Sequence, residues 1–471
     1  MERAMKQNLL GYLLISAVTF SSLLLVENAG FSVLIFVAIQ FVCLYRLAPK
    51  KKPLLMSIPI FILALNSFIS ASPIWRGSNP VVAIVLYSVT ALWLTDQFSV
   101  KDSLLGFVFK TLINVTEPFS HFKTPFRWCL ESQQTHMPII KRVVIGICVS
   151  IPCLIFVSTM LASADAIFSQ AATDFFLWVS RLIRLDIIGR VLLGIFAGLY
   201  LFGMLYHVSK TDRKNIELKA IKARNGDLIV LNIVLTSVLL VYTLFVIIQF
   251  RYLFASAENL PIYMTFESYA RRGFFELMIL TGINIAFILV TVWLTKDQTG
   301  LGAKLTKALC LYLCAVTTVL LASSFYRMWL HGSDDGLTRM RFLVFGFLIF
   351  KAVGIAATFV YIAKPKFNII AVYCLIALTY YLFLNIVPID SIVARSQINR
   401  YFDTGRAGIS YVLTLSPDAG PQISRLLESG SAYTRDRTLA YYEMADLDSS
   451  GWRQWNLSVN RFNRLRNSIL E

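Results

Sequence analysis

Arginine, acidic and aromatic residues gather in three stretches of this chain, and these are the side chains whose types and spacing could do chemistry. The first runs from Arg251-Tyr252-Leu253-Phe254 through Glu258 and Glu267 to Tyr269-Ala270-Arg271-Arg272-Gly273-Phe274-Phe275-Glu276. The second holds Phe325-Tyr326-Arg327-Met328-Trp329 and then Asp334-Asp335-Gly336-Leu337-Thr338-Arg339-Met340-Arg341. The third holds Pro388, Asp390, Arg395 and Asn399-Arg400-Tyr401-Phe402. A guanidinium pairs bidentately with carboxylate or phosphate and stacks by its face on an aromatic ring. All three stretches use Arg and no Lys, which suits fixed planar pairing over loose charge. Such a cluster beside a lipid layer could bind an anionic headgroup or a lipid-linked phosphate. It could equally be an internal network in which Glu267 and Glu276 neutralise Arg251, Arg271 or Arg272. Glu276 falls in the first turn of an apolar run and so most needs a partner.

Lys351 is the one strongly misplaced charge. It sits about ten residues from each end of RFLVFGFLIFKAVGIAATFVYIA, where a cation costs roughly 2.5–3.5 kcal/mol on insertion scales. It reads either as a substrate or proton site facing a polar cavity, or as a lysine snorkelling or held among packed helices. Asn66, Asn232, Asn284 and Asn385, also inside apolar runs, read as interhelical hydrogen-bond partners.

Catalytic signatures are sparse. The chain has no Gly-rich phosphate loop, no H-E-x-x-H, no G-x-S-x-G and no Cys–His pair. Asp334-Asp335 resembles the acidic pairs that hold a divalent metal in some membrane transferases, but reads more simply as a solvated turn. Four histidines leave little material for a multi-His metal centre. Cys310 and Cys314 share a helix face at i, i+4, and without a nearby His or acid they read as packing. No catalytic residue, metal or cofactor is therefore assigned.

The elements that must position these residues are membrane helices. Of 471 residues, 57% are hydrophobic and only 15% charged, with a mean hydropathy of +0.66. A water-soluble core cannot hide that much apolar surface. The net charge of +17 comes from basic residues in short loops between apolar runs, which argues for orientation in a bilayer and against a nucleic-acid partner. A span needs about 20 apolar residues, and eleven runs qualify: 9–26, 30–48, 53–71, 80–96, 143–161, 187–207, 228–249, 274–294, 305–324, 342–362 and 367–387. The first lacks a small-residue cleavage site after it and reads as a retained span.

Lys and Arg fix the orientation, because loops rich in them stay in the cytoplasm. With the N-terminus inside, the inner segments hold 23 basic residues and the outer loops 9, and every Lys except Lys351 falls on the inner side. The inner segments include the basic loop 208–227. Residues 101–122 mix apolar and basic positions as an interfacial helix would, and Asn114-Val115-Thr116 there matches a sequon on the wrong side for glycosylation. Residues 162–186 suggest a surface helix on the outer face. All three Arg-rich stretches then share the outer side.

The last 84 residues, 388–471, carry 10 basic and 9 acidic residues, a balance that suits a small domain in water. Ser416-Pro417-Asp418 reads as a helix start: an N-cap, a proline at the first helical position and an acid at the positive end. That helix should reach about Glu428 with Ile423, Leu426 and Leu427 on its apolar face. Further helices are expected over 434–444 and 452–470, with Trp452 and Trp455 packing on the domain itself or on the membrane surface.

The strings R-Y-L-F, Y-A-R-R-G-F-F-E-L, G-L-T-R-M-R, Y-V-L-T-L-S-P-D-A and W-R-Q-W-N-L-S resemble a bacterial family of multi-span proteins, domain of unknown function 4173, close to the related 4153 group. The likeness covers roughly residues 245–460, and Y-A-R-R-G-F-F-E-L is its most specific part. Members often carry an aromatic residue before the Gly of G-L-T-R, where this chain has Asp335. The resemblance implies a helical fold in a bacterial cytoplasmic membrane and brings no activity or site residue.

The expectation is thus an all-α polytopic membrane protein of about 11 transmembrane helices, with a bundle over 1–387 and a mostly helical extracytoplasmic domain over 388–471. Its partners would be the lipid bilayer, an anionic lipid or envelope component, and a membrane protein. Three functions compete. One is non-enzymatic binding or sensing at the outer face through Arg251, Glu267, Arg271, Arg272, Glu276, Arg327, Arg339 and Arg341. The second is transport or lipid flipping with Lys351 in the pathway. The third is an enzyme on a lipid-linked substrate using Glu267, Asp334 or Asp335.

Overall fold

Where some 20 apolar residues follow one another, a helix forms because it alone satisfies its backbone polar groups internally in lipid. The computed structural model describes residues 3–26, 28–47, 57–95, 104–131, 150, 157–161, 169–170, 173–174, 185–210, 226–253, 274–295, 298–364, 368–405, 408–445 and 451–471. Among them the chain is helical throughout, with no strand. Among the described residues, eight helices are long and apolar enough to cross a membrane. The runs at 30–48 and 53–71 form shorter apolar helices, Phe31–Arg46 and Ile58–Ile69. Most of the run at 143–161 lies outside the described residues, as do most of the expected surface helix at 162–186 and the basic loop.

The chain divides into two compact units. The first comprises Met1–Phe68, Asn79–Ile216 and Ser450–Trp455. Its helices are α1 (Arg3–Thr19, running on into a π turn to Leu24), α2 (Phe31–Leu47), α3 (Ile58–Ile69), α4 (Pro73–Leu94), α5 (Leu104–Thr116), α6 (Lys123–Glu131) and α7 (Leu185–Lys210). The α3–α4 junction, Ile69–Ser78, groups with the second unit. α7 approaches α1 through Gly194 and Gly198: a Cβ on Gly198 would stand 2.8 Å from the Ala17 methyl. This is the small-xxx-small contact that lets apolar helices close up in lipid. Buried polar pairs tie the rest, among them Tyr12–Tyr87 (2.9 Å) and Asn114 Nδ2 to Ser88 Oγ (2.9 Å). Asn114 is fully buried on α5, so its sequon is inaccessible in the folded chain. Trp455 packs on Phe68 at 4.9 Å, and the carbonyls of Arg453 and Trp455 accept from the amides of Gly30 and Phe31.

The second unit holds Ile69–Ser78, Glu217–Ser449 and Asn456–Glu471. Five long helices, α8 (Leu228–Leu253), α9 (Phe274–Thr295), α10 (Leu301–Asp335), α11 (Arg339–Ala363) and α12 (Ile369–Ile386), are joined by short connections between α9 and α12. The chain therefore reverses at each step, and the start of α9, the end of α10, the start of α11 and the end of α12 share one end. α8 runs parallel to α10, because Asn232 bonds Gly302 O (3.2 Å) and Thr306 (2.7 Å) near both N-termini. α8 turns Ile229, Leu240, Val241 and Ile247 outward, more than three-fifths exposed, as a lipid-facing helix would. Cys310 and Cys314 are buried in the α10 core.

After α12 come α13 (Ile389–Thr404), α14 (Ile409–Val412), α15 (Gly420–Ile423), α16 (Ala432–Met444) and α17 (Leu457–Leu470). The helix expected from Pro417 to Glu428 is broken into a 3-10 turn, α15 and a second 3-10 turn. Pro421 falls inside the expected helix and cannot donate the backbone bond that would continue it; the segment also packs closely, since a Cβ on Gly420 would meet the Phe462 ring at 2.6 Å and Tyr442 donates to Gly420 O at 2.7 Å. Ile423 and Leu426 are fully buried, as their spacing implied.

Candidate functional site

Asp390, in the first turn of α13, is the hub of the second unit. Its side chain is 2% exposed, and the Arg339 guanidinium meets it bidentately: Nε to Oδ1, and Nη2 to Oδ2 at 2.7 Å. Oδ2 also accepts from the Ser416 hydroxyl and from Ser416 N at 3.1 Å. The positive end of α13 adds to the stabilisation of this carboxylate. Ser416 thus does not cap a helix; its hydroxyl is turned to Asp390 instead.

The turn before α11 is held from several sides. Thr338 caps α11 by accepting from Arg341 N (3.3 Å), and Arg339 N donates to the Tyr411 hydroxyl (2.8 Å). Arg341 Nη1 reaches Gly336 O at 2.5 Å, and Gln397 Nε2 donates to Leu337 O at 2.9 Å. Gly336 sits at φ +77° with the Gln397 amide 2.8 Å from where a Cβ would stand, so only glycine fits. Burial, with the Asp390 carboxylate behind it, pushes the nearby Tyr441 phenol up to about 12. A second carboxylate, Asp418, accepts from Ser70 Oγ (2.5 Å) and Ala71 N (2.8 Å), while Asn456 Nδ2 bonds Ser70 O (2.9 Å).

The residues singled out in the sequence distribute as follows. Arg251 lies in the last turn of α8, Glu276 is exposed in the first turn of α9, and Arg327 is 5% exposed in α10. With Arg339 and Arg341 they stand at the same end of the second unit. Glu267, Arg271 and Arg272 lie outside the described residues, so the pairing expected of them is not seen. Asp334-Asp335 forms the last turn of α10 instead of a loop. Exposed Trp329 (63%) and Met340 (72%) rim this end.

Lys351 is buried on α11. Its ammonium donates to Met278 O and to Thr281 Oγ1 (2.9 Å) on α9, and the Phe347 ring centroid lies 5.0 Å away. One turn on, Asn284 accepts from Tyr242 (2.8 Å) and donates to Thr317 (3.2 Å), linking α8, α9 and α10. Asn66 accepts from Asn79 (3.4 Å) between α3 and α4, whereas Asn385 bonds the Tyr381 carbonyl of its own helix. Ser416, Tyr411 and Asp418 as site partners were missed by sequence reading. A polar residue beside a proline signals a helix start before it signals a long-range contact.

These features define a multi-pass helical membrane protein whose second unit is locked by buried Arg–Asp–Ser contacts at one end. The chain belongs to the family called domain of unknown function (DUF4153), whose model matches residues 56–426. The family shown is thus the 4153 group, which the motifs suggested as the relative of the 4173 group. The strings that carry the likeness supply Thr338, Arg339, Tyr411, Ser416 and Asp418. No curated protein and no solved structure matches the chain.

Proposed function

We propose that this chain is a non-enzymatic protein of the bacterial cytoplasmic membrane that binds an anionic envelope component at its outer face. Residues 388–471 lie on that face with the Arg-rich loop 250–273. What supports this reading is the gathering of Arg251, Arg327, Arg339 and Arg341 at one end of the second unit, rimmed by exposed Trp329 and Met340. Arg339 is neutralised internally by Asp390, so it acts as a positioning residue. The anion falls to Arg271 and Arg272, which in sequence directly precede α9, whose start shares an end of the unit with the turn that Asp390 holds. A transport pathway through Lys351 gains nothing from its surroundings, since a helix carbonyl, a hydroxyl and a ring already hold the ammonium.

The test titrates the detergent-purified chain with short-chain phosphatidylglycerol or phosphatidylcholine and counts adducts by native mass spectrometry. Preference for phosphatidylglycerol, lost at least tenfold in R271A/R272A, is expected. Equal adducts for both lipids, or an unchanged preference in the variant, overturn the reading. A periplasm-dependent reporter enzyme fused after Glu471 checks the sidedness separately, and activity only in the cytosol refutes it.

A further inference from the structure

Two of the chain's four histidines converge in the first unit, on elements far apart in sequence. Glu117 and His121 are the ends of a 3-10 turn that closes α5, and His207 sits near the end of α7. One ligand atom from each, a carboxylate oxygen and two ring nitrogens, lies within 4.8 Å of the others. It is the one such triad of His, Cys, Asp and Glu among the described residues.

The backbone that carries the triad is fixed by contacts that owe nothing to it. Gly203 lies one helical turn before His207, and a Cβ there would stand 2.5 Å from Pro118 O. No other residue lets α7 come so near the turn. Tyr200, one turn earlier still, donates to Val115 O at 2.9 Å, and its ring packs on Phe119 at 5.4 Å. The three elements are therefore clamped together beside the ligand set. The imidazoles of His121 and His207 face each other at 5.8 Å, and His121 stands edge-on to Tyr206 at 4.9 Å.

We propose that Glu117, His121 and His207 form a binding site for a divalent cation of intermediate softness, of which Zn2+ is the type. Two imidazole nitrogens and one carboxylate oxygen are the donors that such an ion takes, and three protein ligands leave a position for water. Bonds of about 2.0–2.1 Å in a tetrahedron put ligand atoms about 3.3 Å apart. Side-chain rotation closes the present separation with the backbone in place. All three residues are partly exposed, so the ion has a way in. The competing account is a ring stack of His121, His207 and Tyr206 in which Glu117 offsets the charge of Lys210, whose ammonium lies 5.6 Å over Tyr206.

Equilibrium dialysis of the chelator-stripped full chain against micromolar Zn2+, read by elemental mass spectrometry, tests the proposal. Close to one equivalent per chain is expected, with none for Mg2+, which prefers oxygen ligands. H121A and H207A should each weaken binding at least tenfold while keeping the gel-filtration profile of the parent. Substoichiometric Zn2+ in the parent, or full occupancy in both variants, overturns it. Should the variants misfold, the parent alone decides: Zn2+ must protect His121 and His207 from acylation by diethylpyrocarbonate, mapped by peptide mass spectrometry. Equal labelling with and without Zn2+ rejects the site.

Discussion

Replacing Arg339 by Met removes the partner of a carboxylate that is 2% exposed, and the outcome depends on what Asp390 then faces. In water such a pair is worth about 0–1 kcal/mol. Stranding a buried charge costs about 3–5 kcal/mol, because the desolvation of Asp390 is no longer offset. Ser416 still donates its amide and hydroxyl, which places the expected loss toward the lower part of that range. For a unit of this size each kcal/mol shifts the melting midpoint by roughly 2–4 °C, so R339M should melt about 6–12 °C lower in detergent. The decisive variant is R339M/D390N. Asn has no charge to strand, and its carbonyl oxygen can keep both Ser416 bonds, so the double variant should recover at least about half of the loss. Scanning fluorimetry of parent, single and double variants reads all of this. A double variant no more stable than R339M would refute the claim that an uncompensated carboxylate is the cost.

Lys351→Met should be nearly neutral, within about 1 kcal/mol: Thr281 Oγ1 already donates to Met278 O at 2.7 Å, so removing the ammonium strands no acceptor, and a fall of the midpoint beyond about 4 °C would show that the ammonium is essential to packing. Tyr441 should report on alkaline stability. Its phenol is raised to about 12 in the folded chain from an ordinary 10.0, so the contribution is complete below pH 10 and is lost as the pH rises through 12. Tyr441→Phe, followed by near-ultraviolet circular dichroism, should move the alkaline transition to higher pH, and an unmoved transition would exclude Tyr441 as its origin.

How far the sequence discloses this molecule follows from what hydropathy measures. Apolar runs marked eight full-length helices well, because lipid solvation and helical length are set by composition. Their ends were less legible. α10 continues from the expected 324 to Asp335 through Tyr326-Arg327-Met328-Trp329; a helix propagates through polar residues once nucleated, while a hydropathy scan stops at the first charges. The fourth apolar run was bounded at residue 80, yet Pro80 lies inside α4, which begins at Pro73. The polar residues inside spans were legible in kind, and Asn232 and Asn284 do link helices. Their partners were not, since polar pairing is set by which helices meet.

The same limit governs the site. Arg339 and Asp390 both stood out as unusual residues near a predicted interface, but they are 51 positions apart, and the sequence offered nearer acids at Asp334 and Asp335. Proximity along the chain is a poor guide where helices reverse direction every 20–30 residues or so, because each reversal brings remote stretches to the same end. Arg339 opens α11 and Asp390 opens α13, with α11 carrying the chain across and α12 bringing it back. Two helix starts separated by one full up-and-down passage must share an end of the unit, and short connections leave little freedom in which side chains then meet. The positive ends of both helices would favour an anion there, and Asp390 supplies it from within the chain. That is why the Arg339 pair fixes geometry, and why any external anion must be sought at arginines outside this lock.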